Sequence, residues 1–445
     1  MGPMNDAQNP PVLKAHIGLM ALTLYGVGDI LGAGIYGLVG KAAGVMGSAV
    51  WMGFLVSMVA AMLTGLSYAA LGSRFPKAAG GSYVVFRVFR SPFFAYLIGL
   101  TTLASGVTSM ATASKAFAGY LVGLLPWLGY SGSIFLFATV LALIVFIGIK
   151  ESIWANSVCT LIELFGLLVV IGVGVSYLGT TNLMDMTTVT NPTGDFSWSL
   201  IFSGAVLTFY SFVGFEDILN VSEEVKNPRY TVPRGLILAV IISSVIYMLV
   251  SLVGVSVLSV QELADSKEPL VEVVGRAAPW FPLKIYSVIA LFAVANTALL
   301  NFIMASRLVY GLSRLKLMPK MLDHVHPKRQ TPSRAVFFIY LLLLVLVCVG
   351  DISTLAKATS LLLLLVFCGM NLSLAWMKYQ KDSTPTGFDV PMLVPVAGFI
   401  VCCVMISFSK LSETIIAGVI ILLITALYFF LRPSVETVQE MLNEE

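Results

Sequence analysis

"GDILGAGIYG", residues 28–37, lies in an apolar run between about residues 15 and 40, yet holds four glycines and an aspartate. Each glycine inside a helix costs about 1 kcal/mol relative to alanine. A charge at bilayer depth costs roughly 2.5 kcal/mol or more. A chain that accepts both penalties in one place is building a break rather than a rod. The same device recurs in "FYSFVGFEDILN" (209–220), where Ser211 and Gly214 interrupt an apolar run and Glu216 and Asp217 follow.

The surroundings fix what kind of chain carries these breaks. Of its 445 residues 58% are hydrophobic and 11% charged, against about 25% charged in a soluble domain. Apolar runs fall near 15–40, 46–72, 93–124, 131–149, 153–178, 198–222, 232–259, 281–313, 335–350, 353–378, 392–409 and 412–431. With no water to satisfy backbone groups, they must be helices, and the alternation of a membrane barrel is absent. The prediction is an all-α polytopic membrane protein of about 12 transmembrane helices.

The two interrupted runs are the first and the sixth. Short or glycine-broken segments at matching places in two halves point to a transporter built from inverted repeats. Five spans per repeat is an odd number, so the second half inverts. This divides the chain into 1–14, a first repeat over 15–178, an inverted second over 198–378, two further helices over 392–431, and a tail over 432–445. A break leaves N–H groups unpaired at the start of one half-helix and carbonyls at the end of the other. Such ends attract a carboxylate and an ammonium through partial charges. A competing reading is close helix packing through small residues, since Gly28 with Gly32 resembles a GxxxG face.

Charge supplies the orientation. With the N-terminus in the cytoplasm, only Lys41, Lys267, Arg276, Lys284, Lys357 and Lys410 fall outside. Lys115 lies within a span, and all other lysines and arginines fall inside. That is a positive-inside bias, with both termini cytoplasmic in the cell membrane. Residues 1–14 lack the apolar core of a signal peptide. "SRFPKAAGGSYVVFRVFR" (73–90) reads either as a surface helix or as a basic loop. The five cysteines all lie in apolar spans and suggest no disulfide framework.

No basic cluster suggests nucleic acid, and no phosphate loop or Walker pattern suggests ATP. His16, His324 and His326 are too scattered for a metal site, and no cofactor or catalytic constellation is expected. A membrane enzyme would need convergent nucleophiles and bases at mid-depth, and a receptor would need no paired breaks.

"GVGDILGAGIY" (26–36), "YAALGSRFPKAAGGSY" (68–83), "FYSFVGFEDILNVSEEVKNPRYTVPRG" (209–235), "ASRLVYGLSRLKLMPK" (305–320) and "TPSRA" (331–335) together resemble the amino acid–polyamine–organocation transporters. The resemblance runs in order from about residue 15 to 430. It implies a LeuT-type fold of two inverted five-helix repeats moving amino acids or related amines by alternating access. It also implies that the N–H groups of Gly32, Ala33 and Gly34, beyond Ile30, meet a substrate carboxylate. Carbonyls near Tyr210, Ser211 and Val213, before Gly214, would then receive the amine. Tyr210 falls where some relatives place a gating aromatic, Asn301 at a site-facing position, and Glu216 at an acid implicated in gating. The chain departs from the pattern at Ala70, where many members have Glu, and at Asp29, where many have a small or neutral residue.

Asp29 precedes the first break, placed either to contact a substrate's side-chain amine or to be satisfied by neighbouring backbone. A polyamine or cationic amino acid exchanger is therefore the second reading. Glu163 in span five stands near the position of a lysine in some relatives. A pair between Lys115 and Glu163, opened by protonation, is one candidate coupling device, and a static pair or a snorkelling Lys115 is the other. The expected coupling is to protons or by exchange; for sodium, Thr297 is the nearest hydroxyl in "VANTALLN".

Overall fold

The computed structural model describes residues 17–75, 80–147, 153–314, 318–326, 329, 331–381 and 387–431. The terminal segments 1–14 and 432–445 lie outside the described residues. In chain order the helices are α1 (Leu19–Ile30), α2 (Ala33–Met46), α3 (Val50–Arg74), α4 (Gly80–Phe89), α5 (Pro92–Leu124), α6 (Tyr130–Ile147), α7 (Ile153–Gly174) and α8 (Trp198–Phe209). There follow α9 (Pro228–Val257), α10 (Val260–Asp265), α11 (Pro269–Ala277), α12 (Leu283–Arg314), α13 (Ser333–Val347), α14 (Ile352–Tyr379), α15 (Leu393–Ser407) and α16 (Leu411–Leu431). Every apolar run maps onto this list, with α1 and α2 sharing the first. Among the described residues, nine helical stretches are long and apolar enough to cross a membrane, and α1, α13 and α15 are shorter apolar helices. This is a multi-pass membrane protein.

Local chemistry sets the ends. Pro92 at the first turn and the Ser91 side chain start α5, and Asp351 Oδ1 accepts the Thr354 N–H at 2.9 Å to start α14. Asn227 and Pro228 start α9. Ser259 and Glu262 form a reciprocal capping box on α10. Of the segment 73–90, residues 80–89 are helical, 73 and 74 end α3, and 76–79 lie outside the described residues.

In the bundle, α3 packs on α9, α5 on α12 and α14, and α1 on α7 and α9. Leucine and phenylalanine on the far side of α16 face outward, Leu422 at 69% and Phe430 at 84% exposure, as a lipid-facing surface requires. α3 ends at Arg74, α4 carries Arg87, and α9 opens near Arg229, so one end of the bundle is rich in arginine.

Both glycine-marked runs are broken. Between α1 and α2, Leu31 is extended and Gly32 has φ +130°, a conformation L side chains rarely adopt. Beyond α8 the chain tightens to 3₁₀ over Tyr210–Phe212, turns at Gly214 with φ +123°, and continues as a ten-residue 3₁₀ helix, Phe215–Glu224. A 3₁₀ run of that length is uncommon and often marks a hinge. The arginine-rich ends of the two broken spans are clipped together. Ile17 N–H donates to the Glu224 carbonyl at 3.0 Å, and Lys226 N–H to the Ile17 carbonyl at 2.9 Å.

Candidate substrate cavity

The breaks face each other. A Cβ on Gly214 would lie 2.6 Å from the Asp29 carbonyl oxygen, so only glycine allows the backbones to meet there. The last bond of α1 runs from Leu31 N–H to Val27 O. The carbonyls of Gly28, Asp29 and Ile30 are therefore beyond the helical ladder, and the N–H groups of Ala33, Gly34 and Ile35 precede it in α2. Tyr247 of α9 joins the two breaks. Its hydroxyl lies 2.6 Å from the Ile30 carbonyl and 2.8 Å from the Ser211 carbonyl, sharing one hydrogen between them. Glu216 Oε2 accepts the Gly214 N–H at 3.0 Å and caps the second half of span six.

Beside the breaks lies a cavity of about 420 Å³. Asp29, Ile30, Ala33, Gly34, Tyr210, Val213, Gly214, Glu216 and Asn301 all line it. It extends along α5 and α12, past Leu100, Met304 and Leu308, to Tyr96, Ser82 and Leu312 at the arginine-rich end. At the other end it stops at Tyr210, whose hydroxyl is 3.0 Å from Ser109 Oγ and donates to the Ser109 carbonyl at 3.1 Å. A mixed polar and apolar concavity with backbone donors and acceptors at one wall suits a small zwitterion.

The sequence matches the amino acid permease family over residues 17–411. The chain belongs to that family. Among curated relatives it is similar to the branched-chain amino acid permease BcaP of Bacillus subtilis, with 25% identity over 94% of this chain and 93% of the relative. It is 28% identical to cationic amino acid transporter 4 of Mus musculus, over 86% of this chain and 63% of the mouse protein. It is 27% identical to the methylthioribose transporter of Bacillus subtilis, over 92% and 91%. The family and its relatives' names are those of transporters, not enzymes.

Four expected residues of this permease stand off the cavity. Gly32 forms the break itself. Ser211 packs on Gly34, and its carbonyl already accepts from Tyr247, whereas Val213 lines the cavity. Lys115 and Glu163 are not brought together. Glu163 on α7 is fully buried; its Oε1 accepts from Asn296 Nδ2 at 3.0 Å, and its Oε2 has no partner among the described residues. Lys115 lies in the half of α5 away from the arginine-rich end, and Asp351 is the acid whose charge acts on it. Helix rotation decides this. α7 turns Glu163 toward α12 rather than α5, and sequence spacing carries no information about that.

The end opposite the cavity mouth is closed by layers. The Tyr120 hydroxyl donates to the Tyr36 carbonyl at 2.5 Å, and the Tyr36 hydroxyl to the Glu163 carbonyl at 2.8 Å. Lys41 Nζ donates to the Ala264 carbonyl, and α10 and α11 pack over α2. Tyr247, Asn296, Tyr36 and Tyr120 escaped the sequence reading because single tyrosines and amides in apolar helices carry no spacing signal.

Proposed function

We propose that this permease moves amino acids across the cell membrane by alternating access, with the cavity open to the cytoplasm. The facing breaks carry this reading. N–H groups at Ala33 and Gly34, ahead of the α2 ladder, offer a carboxylate site, and the carbonyl of Val213, which lines the same cavity, would receive the α-ammonium. The arginine-rich end is assigned to the cytoplasm by the positive-inside rule, with both termini there.

An inverted five-plus-five repeat is supported by the pairing of contacts. Exchanging each span with the one five places on turns α1 against α9 into α8 against α3, and α7 against α12 into α14 against α5. All four packings are present. α15 and α16 stand outside this relation.

For coupling, Glu163 is the candidate. An ionised carboxylate buried with one amide partner and one bare oxygen is costly, and a proton on Oε2 removes that charge. Its backbone carbonyl is bonded to Tyr36 of α2, so the proton and the outer half of span one share a helix contact. Tyr210 would close the path above the substrate, and Glu216 would set the second break. Lys115 keeps a structural role in this scheme.

A second reading, transport of cationic amino acids or polyamines, is favoured by Asp29, Glu216 and Asp217 all lining the cavity. Uptake of a radiolabelled amino acid panel into proteoliposomes, under separate proton and sodium gradients, tests both. Saturable flux driven by protons or counter-substrate supports the proposal. Absence of flux of any amino acid or polyamine in folded protein overturns it.

A further inference from the structure

We infer that the cavity selects amino acids whose side chains donate hydrogen bonds, and that Asn301 of α12, facing Gly106 of α5, is the residue that reads the donor. This rests on the amino acid reading above and names the substrate class within it.

Hydroxyls line the cavity, yet their protons are already engaged. Thr102 donates to the Ile98 carbonyl at 2.9 Å and Ser105 to the Thr102 carbonyl at 2.7 Å. Tyr210 donates to the Ser109 carbonyl, and the Ser109 hydroxyl has the Tyr210 oxygen as its acceptor at 3.0 Å. The Thr297 hydroxyl lies 3.5 Å from the carbonyls of both Leu31 and Ala293. A hydroxyl has one proton and two lone pairs, so each of these groups can still accept, while donating to a ligand would break a bond already made. Ionised, the lining carboxylates of Asp29, Glu216 and Asp217 add acceptors and no donor. The Arg307 donors lie six residues beyond Asn301 on α12, about 9 Å nearer the mouth.

Asn301 is the acceptor with room in front of it. Its Nδ2 donates to the Thr297 carbonyl at 3.0 Å, which fixes which end of the amide is which. Oδ1 points toward α5, 3.2 Å from the position that a Cβ on Gly106 would take, and nothing else stands within 4 Å of that position. No described residue donates to this oxygen. Gly106 is inside the helix α5, where glycine costs about 1 kcal/mol relative to alanine; in exchange the space before Asn301 stays open. Thr297, which reaches the carbonyl of Leu31 in the first break, is one turn before Asn301. A substrate held at Ala33 and Gly34 therefore has Asn301 about 5.4 Å further on, the reach of a side chain of roughly four bonds.

The wall sorts side chains by what they donate. A carboxamide or an ammonium pairs with Oδ1. An aliphatic chain of the same length strips water from that oxygen and returns nothing, and a carboxylate meets further acceptors.

The test measures, by calorimetry on the purified full chain, the binding of L-lysine against L-norleucine and of L-glutamine against L-glutamate γ-methyl ester. Each pair is close in shape and differs in whether the side chain donates. The donor of each pair should bind about tenfold more tightly. Asn301→Leu keeps the volume, removes the oxygen, and should bring both pairs within about twofold. Gly106→Ala covers the oxygen and should narrow both ratios as well. Equal affinities within each pair in the wild type, or ratios that persist in both variants, would overturn Asn301 as the reader and leave transport intact. A preference for lysine with none for glutamine would also overturn it, since charge and not donation would then decide. A protein that neither binds nor moves any amino acid would refute the transport reading, and this selectivity with it.

Discussion

Replacing Tyr247 with Phe isolates the contact that ties the two breaks together. The ring keeps its edge contact with Phe212, 5.3 Å between centroids, and its tilted contact with Phe54 at 5.8 Å. Only the hydroxyl is lost. Tyr247 is fully buried, so no water is at hand to replace it at the Ile30 and Ser211 carbonyls. A buried group left without its partner costs about 1–3 kcal/mol. At roughly 1.4 kcal/mol per tenfold, the arrangement joining the breaks becomes about 5 to 150 times less favoured. Y247F should therefore melt earlier in detergent, followed by tryptophan fluorescence, and should bind its amino acid substrate at least fivefold more weakly. Wild-type melting together with wild-type affinity would refute the claim that this hydroxyl holds the breaks in register.

Other outcomes follow from single sites. Gly214→Ala forces a side chain into a backbone region that costs about 1–3 kcal/mol and against the Asp29 carbonyl at 2.6 Å; initial uptake rates should fall more than tenfold with surface expression retained. Glu163→Gln is neutral at every pH, so uptake should lose its response to an imposed proton gradient while exchange at equal pH continues. Lys357 Nζ lies 3.4 Å from Glu413 Oε1, both side chains buried. Lys357→Met alone should cost about 3–5 kcal/mol by stranding Glu413, and adding Glu413→Leu should restore most of the stability, read by thermal denaturation. At the start of α10, which packs on α2, the Ser259 N–H, the Ser259 hydroxyl and Arg276 hold the exposed Glu262 carboxyl at about 2, below its usual 4.5. Its contribution is complete above pH 4.5 and lost as pH falls through 2, so the amide protection factors of residues 259–265, corrected for the intrinsic exchange rate at each pH, should be unchanged between pH 7 and 5.

The fold was legible because membrane helices announce themselves by length and apolarity, and because the breaks violate helix chemistry where they occur. Gly32 and Gly214 needed no partner to be noticed: glycine in such a place is a local signal. The joining residues gave none. Tyr247 sits in "SSVIYMLVS", where nothing distinguishes it from a packing aromatic. Glu163 was visible as a charge in an apolar run, but its partner was not. Asn296 lies 133 residues away, and which face of α7 meets α12 is decided only by packing. Arg307 reads in sequence as an inner-surface charge, and its place in the cavity depends on the path of α12 alongside α5.

The central claim is that the broken helices read both ends of an amino acid. The most direct measurement compares, as inhibitors of uptake, an amino acid that the protein transports with its amide and its decarboxylated amine. The account predicts that removing the carboxylate weakens inhibition at least tenfold, since the N–H groups of Ala33 and Gly34 lose their anion. Equal inhibition by all three would contradict it.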